Sequence, residues 1–339
     1  MNNDRIQEIL DLMEEARLDY FLISDPQSIA YCTGYYNDPH ERMFVFMISK
    51  HGNHTLFMND LFYLDHDLDV NIVWHKDGQD AIQTIVDEMH FPGRIGIEKN
   101  WASHFLLDLM KKLPDAKYIN ASPCVDLVRM KKDLQEQVLM IESSKINDAV
   151  MEEIIPFIQE GVTEKQLAKK LDELFFNHHS TCYGAIVAFG KNAADPHHEN
   201  DDTLLRKGDC VLIDMGCVYK GYCSDMTRTF FYEGILEEEI KVYEIVKKAN
   251  EAAEAMIKPG VKLSDIDKCA RKVISDEGYG KYFTHRLGHF IGRDVHEYGD
   301  VSSVNEMEVE EGMIFSIEPG IYLEGNFGVR VEDLVMVTK

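Results

Sequence analysis

Two aspartates, Asp214 and Asp225, stand inside the stretch VLIDMGCVYKGYCSDMTRT (residues 211–229), which otherwise has the apolar runs and turn signals of a β-hairpin. The runs 210–217 and 221–231 are strand-like, and the midpoint between the aspartates falls at Tyr219 and Lys220, beside Gly221. That symmetry places Asp214 roughly opposite Asp225, where cross-strand Cβ atoms are only ~5 Å apart and like charges repel. A metal ion between them would resolve the conflict; a slipped register would instead leave a solvent-facing pair. A second stretch, EGMIFSIEPGIYLEGNFGVRVED (residues 311–333), repeats the spacing, with Gly312, Glu318 and Gly320 matching Gly208, Asp214 and Gly216. Glu318 and Glu332 lie symmetrically about Gly325 and Asn326, so they too should face one another. A repeat with a carboxylate pair in each copy predicts a duplicated half-domain whose four carboxylates converge near a pseudo-twofold axis. Buried carboxylates must be paired or coordinated, so the convergence predicts metal.

Histidines complete the constellation. HRLGHFIGRDVHE (residues 285–297) holds His285, His289 and His296, and Asp195-Pro196 is followed by His197 and His198. His289, next to Gly288 in an apolar run, needs a partner and is the fifth expected ligand; the other scattered histidines read as ordinary surface or core residues. HExxH is absent, which argues against a thermolysin-type zinc site, and so is a GxSxG nucleophile elbow.

The elements that must position these groups follow from periodicity. Residues 1–125 alternate helix (6–16, 81–89, 103–113) with strand (20–23, 42–48, 54–58, 94–97), an α/β rhythm with no phosphate-binding loop. From residue 126 the pattern becomes helix, helix, strands, twice over: helices at 134–157 and 163–176, a strand at 183–189 and the first hairpin, then helices at 237–257 and 264–276 and the second. Thr163 and Gln166 have capping-box spacing. A net charge of −25 argues against nucleic acid or an anionic membrane as partner, since both are bound through Lys and Arg. The first twenty residues lack the apolar core of a signal peptide, and a cytoplasmic protein is expected. Seven cysteines without CxxC spacing read as reduced thiols.

Asp214, Asp225, His289, Glu318 and Glu332, in the contexts IDMG, SDMTRT, RLGH, SIEPG and VRVED, resemble the metallopeptidases of the pita-bread fold, in the branch containing prolidase and aminopeptidase P. DPQSIAYCTG (residues 25–34) is similar to a segment of that branch's smaller N-terminal domain. The resemblance implies an α+β chain: a creatinase-like α/β domain over residues 1–125, then a pita-bread catalytic domain with pseudo-twofold duplication over 126–339. It implies two divalent ions, Mn²⁺ first and Co²⁺ or Zn²⁺ otherwise, bridged by Asp225 and Glu332, with Asp214 on one and His289 and Glu318 on the other. Two such cations lower the pKa of a shared water and stabilise the oxyanion of a scissile carbonyl. Glu318 is then the proton shuttle, His197 and His296 contact substrate and tetrahedral intermediate, Arg330 lies near the substrate carboxylate or pairs with a ligand carboxylate, and His285 lines the same pocket. The expected activity is hydrolysis of the Xaa-Pro bond at the N-terminus of short proline-containing peptides, as aminopeptidase or dipeptidase, by a homodimer. A catalytically silent binding protein of the same fold is the alternative. Phe290, where the branch commonly has glycine, Arg293 and Gly299-Asp300 depart from the pattern and are expected on the pocket wall.

Overall fold

The computed structural model describes residues 1–90 and 92–339, which divide into two compact units, Met1–Arg129 and Met130–Lys339. In the first, the order is α1 (Asn3–Glu15), β1 (Tyr20–Ile23), α2 (Pro26–Thr33), β2 (Val45–Ser49), β3 (Thr55–Asn59), β4 (Asn71–His75), α3 (Ala81–Glu88), β5 (Arg94–Ile97), α4 (Ser103–Lys112), β6 (Lys117–Asn120) and α5 (Ser122–Met130). The strands form one mixed sheet in the order β4-β3-β2-β1-β5-β6. Its central strands β1, β2 and β3 are buried along their whole length, and apolar side chains of α1 and α2 cover one core while α3 and α4 contribute to another. α2 forms from the turn-rich DPQSIAYCTG: the Asp25 side chain caps it by accepting from the Ser28 N–H, Pro26 opens it, and Gly34 closes it with φ 81°. Position 125, where the composition shifts, lies within α5.

The second unit runs α6 (Leu134–Ile154), α7 (Glu164–Asn177), β7 (Thr181–Cys182), β8 (Ile186–Phe189), β9 (Cys210–Met215), β10 (Cys217–Tyr219), β11 (Tyr222–Cys223), β12 (Met226–Phe231), α8 (Glu237–Glu254), α9 (Leu263–Asp276), β13 (Gly288–His289), β14 (Asp300–Val301), β15 (Ile314–Ile317), β16 (Gly320–Leu323), β17 (Phe327–Arg330) and β18 (Asp333–Met336). Two helices followed by strands occur twice, as the repeat predicts. The expected capping box is present on α7, where Thr163 Oγ1 accepts from Gln166 N–H and the Gln166 side chain accepts from Thr163 N–H. α6 ends at Ile154, before Pro156, and the chain turns through a short 3₁₀ segment. Gly208 and Gly312, at equivalent points of the two copies, both adopt the left-handed conformation (φ 88° and 86°) and both donate their N–H across a hairpin, to Tyr232 O and Val337 O. All seven cysteines are free.

The first hairpin differs in register from the expectation. Lys220 and Gly221 both have positive φ (48° and 82°), a two-residue turn that pairs Tyr219 with Tyr222 and fixes everything behind it. Asp214 therefore pairs with Thr227, and Asp225 lies just ahead of β12. The shift is by two residues along one strand, so both carboxylates stay on one face. In the second copy the loop is centred on Gly325, and a single register runs through Leu323–Phe327, Gly320–Arg330 and Ile317–Asp333, so Glu318 and Glu332 stand opposite one another in the gap between the ladders. Pro319, with no N–H to donate, interrupts the ladder there.

Candidate metal centre and active site

Each carboxylate reaches the centre from a different strand end. Asp214 comes from β9, Asp225 from the turn before β12, Glu318 from the β15–β16 junction and Glu332 from the β17–β18 junction, while His289 sits on β13. His289 Nε2 lies 3.5 Å from Asp225 Oδ2, 3.6 Å from Glu318 Oε1 and 3.9 Å from Glu332 Oε1. The imidazole is oriented from behind: the Phe290 carbonyl, 3.2 Å from Nδ1, can only accept, so Nδ1 carries the proton and the Nε2 lone pair faces the carboxylates. Ser316 Oγ ties two of these groups together, accepting from His289 N–H (3.0 Å) and donating to Glu318 Oε1 (3.3 Å).

The threonines of TRT hold the opposite side. Thr227 Oγ1 donates to Glu332 Oε2 at 2.7 Å and accepts from Arg330 Nε, Thr229 Oγ1 donates to Arg330 O, and Arg228 donates to Glu332 O and Asp333 Oδ1. Glu332 is nonetheless left with Oε1 buried and without a hydrogen-bond partner, an expensive state for a carboxylate.

The electrostatics of the group are those of a cation site. Burial, then repulsion from Asp225, Glu318 and Asp214, pushes the Glu332 carboxyl well above its ordinary range. Burial pushes Glu318 up to about 7 and Asp214 to about 6, the latter against the pull of Arg330. Burial opposes charge on His289 as well, but the hydrogen bond to Asp225 and the charge of Glu318 outweigh it and raise its pKa. A divalent cation would satisfy the orphaned Glu332 oxygen, take the directed Nε2 lone pair and remove the mutual repulsion. The donor set therefore fits metal.

These residues line a cavity of about 380 Å³ together with Tyr183, Pro196, His197, His285, Arg286, Val295, His296 and Arg330. All nine residues singled out in the sequence thus meet at one pocket. Their states differ. Arg330 is 3% exposed and fully committed: Nη2 donates to Asp214 Oδ2 at 2.5 Å, Nη1 to the Tyr322 hydroxyl and Pro196 O, and Nε to Thr227. One of its two expected roles, the ion pair with a ligand carboxylate, is made with Asp214. His285 donates from Nδ1 to Arg286 O and accepts at Nε2 from the Tyr322 hydroxyl; burial lowers its pKa to about 4, so the neutral ring offers the pocket no free donor. His296 stacks edge-on to His289 with ring centroids 4.3 Å apart, and loss of solvent on its pocket side brings it to about 4.

Phe290 and Arg293, expected on the pocket wall, are absent from its described lining. Phe290 is fully buried against Phe315, and Arg293 lies over the Tyr222 ring. An aromatic side chain in an apolar strand run simply joins the core. Conversely, sequence reasoning gave no role to Tyr183, Tyr322, Ser316 or Arg286. Tyr183, whose hydroxyl donates to Ser224 O, is held protonated by burial and by the charges of Asp225, Asp214 and Glu332. A second cluster, Glu164, His198 and Asp201, has ligand atoms within 4.8 Å. Both Glu164 oxygens there already accept hydrogen bonds, from Phe189 N–H and Asn192 Nδ2 on one and from His198 Nε2 and Asp201 N–H on the other. That cluster is a clamp on the loop carrying His197.

Residues 138–339 match the model of metallopeptidase family M24, and residues 5–131 match the creatinase/prolidase N-terminal domain. The chain belongs to metallopeptidase family M24. It is 34% identical to an uncharacterized peptidase of Staphylococcus aureus, over 98% of this chain and 96% of that one. Among solved structures it resembles a dipeptidase from Pyrococcus horikoshii (36% identity, TM-score 0.91, 98% of this chain and 94% of that one) and the prolidase from the same organism (29% identity, TM-score 0.91, 99% and 96%). The α+β architecture, with a pita-bread domain after a creatinase-type domain, matches that of these two structures. No helix among the described residues is long and apolar enough to cross a membrane.

Proposed function

We propose that this family M24 chain is a two-metal peptidase that cleaves the Xaa-Pro bond at the N-terminus of short peptides in the cytoplasm, with Mn²⁺ as its resident ion. The observation that carries the reading is the directed His289 Nε2 facing Asp225, Glu318 and the unsatisfied Glu332 oxygen in one cavity. Oxygen ligands with a single imidazole suit Mn²⁺ or Co²⁺, and Zn²⁺ less narrowly. Likeness to a prolidase supports the proline specificity.

Asp225 and Glu332 would be shared between the ions, Asp214 would serve one, and His289 and Glu318 the other. When bound, the ions supply Lewis acidity and a nucleophile usable at neutral pH. The chain's own groups do the rest. Glu318, whose Oε1 borders the centre, takes a proton and returns it to the leaving nitrogen. His296, neutral at pH 7, donates to the oxygen on which charge develops. His197, presented by the loop that Arg330 holds at Pro196 O, contacts the peptide. Arg330 itself orients Asp214.

The test is chelation. Protein stripped of metal is expected to lose hydrolysis of Ala-Pro and to regain it with Mn²⁺ or Co²⁺, with Ala-Ala a far poorer substrate. Undiminished hydrolysis by metal-free protein would end the metallohydrolase mechanism, and equal turnover of Ala-Ala would end the proline specificity.

A further inference from the structure

We propose that the buried ion pair of Lys132 with Glu297 is the positioning device for His296: it holds the loop 290–297 so that the His296 imidazole is aimed into the metal centre; the inference rests on the peptidase reading above. Among the described residues the His296 side chain makes no hydrogen bond, and its ring stacks edge-on to His289, so its aim must come from the backbone that carries it. That backbone is closed on itself. Glu297 N–H donates to Phe290 O at 2.9 Å, the same carbonyl that faces His289 Nδ1, so one oxygen registers the expected metal ligand against the residue that follows His296. Within the loop Gly292 N–H donates to Asp294 O, and Gly292 O accepts from Cys223 N–H at 2.7 Å, which ties the loop to the first hairpin two residues before Asp225.

The Glu297 carboxylate sits at the middle of this loop. Oε1 accepts from Arg293 N–H at 3.0 Å and Oε2 from Lys132 Nζ at 2.9 Å, with the lysine and glutamate side chains 1% and 5% exposed. A carboxylate held at both oxygens cannot turn without giving one up. Lys132 is anchored in its own right, its N–H donating to Gly312 O and its carbonyl accepting from Gln137 Nε2. The space is cut to the pair: a Cβ at position 292 would stand 2.7 and 2.8 Å from the two Glu297 carboxylate oxygens and 2.8 Å from Lys132 Cε, so glycine is required there. Neither charge belongs to the described lining of the cavity, so the pair reaches substrate only through the loop. Burying an ion pair is seldom more stabilising than packing an apolar pair of like volume, but it fixes one geometry. Here that geometry is the seat of His296.

The experiment is a double-mutant cycle of Glu297→Gln with His296→Ala on Mn²⁺-loaded protein, reading kcat and KM for Ala-Pro and metal content. Glu297→Gln keeps an acceptor for Arg293 N–H but sets an amide against the lysine ammonium. It is expected to lose about tenfold to a hundredfold in kcat, the cost of a small misplacement of a catalytic group, with KM and metal content close to wild type. In the His296→Ala background the same change should cost less than about twofold, because the two residues act as one unit. Should the unpaired lysine prevent folding, the charge-free pair Lys132→Met with Glu297→Gln goes through the same cycle with the same expected outcomes. A loss as large without His296 as with it, a loss carried by KM or by release of metal, or no loss at all overturns the assignment and leaves the peptidase reading intact. If Ala-Pro is cleaved by none of the proteins, that reading fails separately, and a crystal structure of the variant decides the role of the pair: a His296 ring drawn away from His289 supports it, and a ring still seated 4.3 Å from His289 overturns it.

Discussion

His296 shows how a residue beside a metal centre is told from a residue in it. Its ring meets His289 edge-on at 4.3 Å, yet it belongs to no group of converging ligand atoms among the described residues, and it stays neutral at pH 7 because partial desolvation, then the nearby His289 and Arg286, disfavour the imidazolium. A neutral imidazole can still donate one hydrogen bond to a developing oxyanion. Losing one such donor costs about 10² to 10³ in kcat. His296→Ala is expected to fall by that much with its metal content unchanged, measured on one preparation by steady-state kinetics and elemental analysis. Metal lost in step with activity would make it a ligand, and near-normal kcat would remove it from the chemistry. The neighbouring Arg330 teaches the complementary lesson. Its type and its place two residues before Glu332 are visible in the chain, but whether it faces substrate or Asp214 depends on which acceptor lies within reach once β17 meets β9 and β12, which no local pattern records.

Elements decide which side chains reach the pocket. The two carboxylate pairs were legible because a hairpin has a dyad and sequence displays it, and the second pair stands where its symmetry about Gly325 placed it. The first pair is offset because Lys220, a non-glycine residue, takes positive φ and shifts the turn by one residue. Period-two patterning fixes the face of a residue more firmly than its partner. The loop between β8 and β9 is positioned differently, by one buried side chain. Glu164, at the start of α7, is wholly buried and accepts from Phe189, Asn192, His198 and Asp201, which brackets the segment that carries Pro196 and His197. Glu164→Gln keeps one acceptor oxygen and puts an NH₂ group against the His198 and Asp201 donors. Leaving them unpaired is expected to cost about 1–3 kcal/mol of stability. The functional sign is a rise in KM for Xaa-Pro substrates larger than the fall in kcat, with metal content retained. A variant that loses stability but keeps wild-type KM would reduce Glu164 to a structural clamp with no bearing on His197.

At the scale of the whole chain, the charge stored in the two compact units can be read separately, because both tryptophans, Trp74 and Trp101, lie in the first. Their fluorescence reports on that unit, where Glu98 is an unusual group: 2% exposed, accepting from the Ser24 and Asp25 N–H groups at 2.6 and 2.5 Å, on the strand end that holds the start of α2. Burial, with the nearby Asp25 charge, pushes its pKa up to about 7 from 4.5, against the two backbone donors that favour the anion. A carboxyl whose folded pKa is raised keeps its proton in the folded state while the unfolded chain has already released it. The folded state is thus favoured below pH 4.5, and that advantage is lost as pH rises toward 7. The span corresponds to roughly 3 kcal/mol at about 1.4 kcal/mol per pKa unit. In Glu98→Gln the amide carbonyl can still accept from the two N–H groups and nothing titrates. Denaturant unfolding followed by tryptophan fluorescence should show the variant gaining on the wild type by roughly that amount between pH 4.5 and 7. A difference that does not change with pH would mean that Glu98 stays ionised throughout, with the Ser24 and Asp25 donors outweighing its burial.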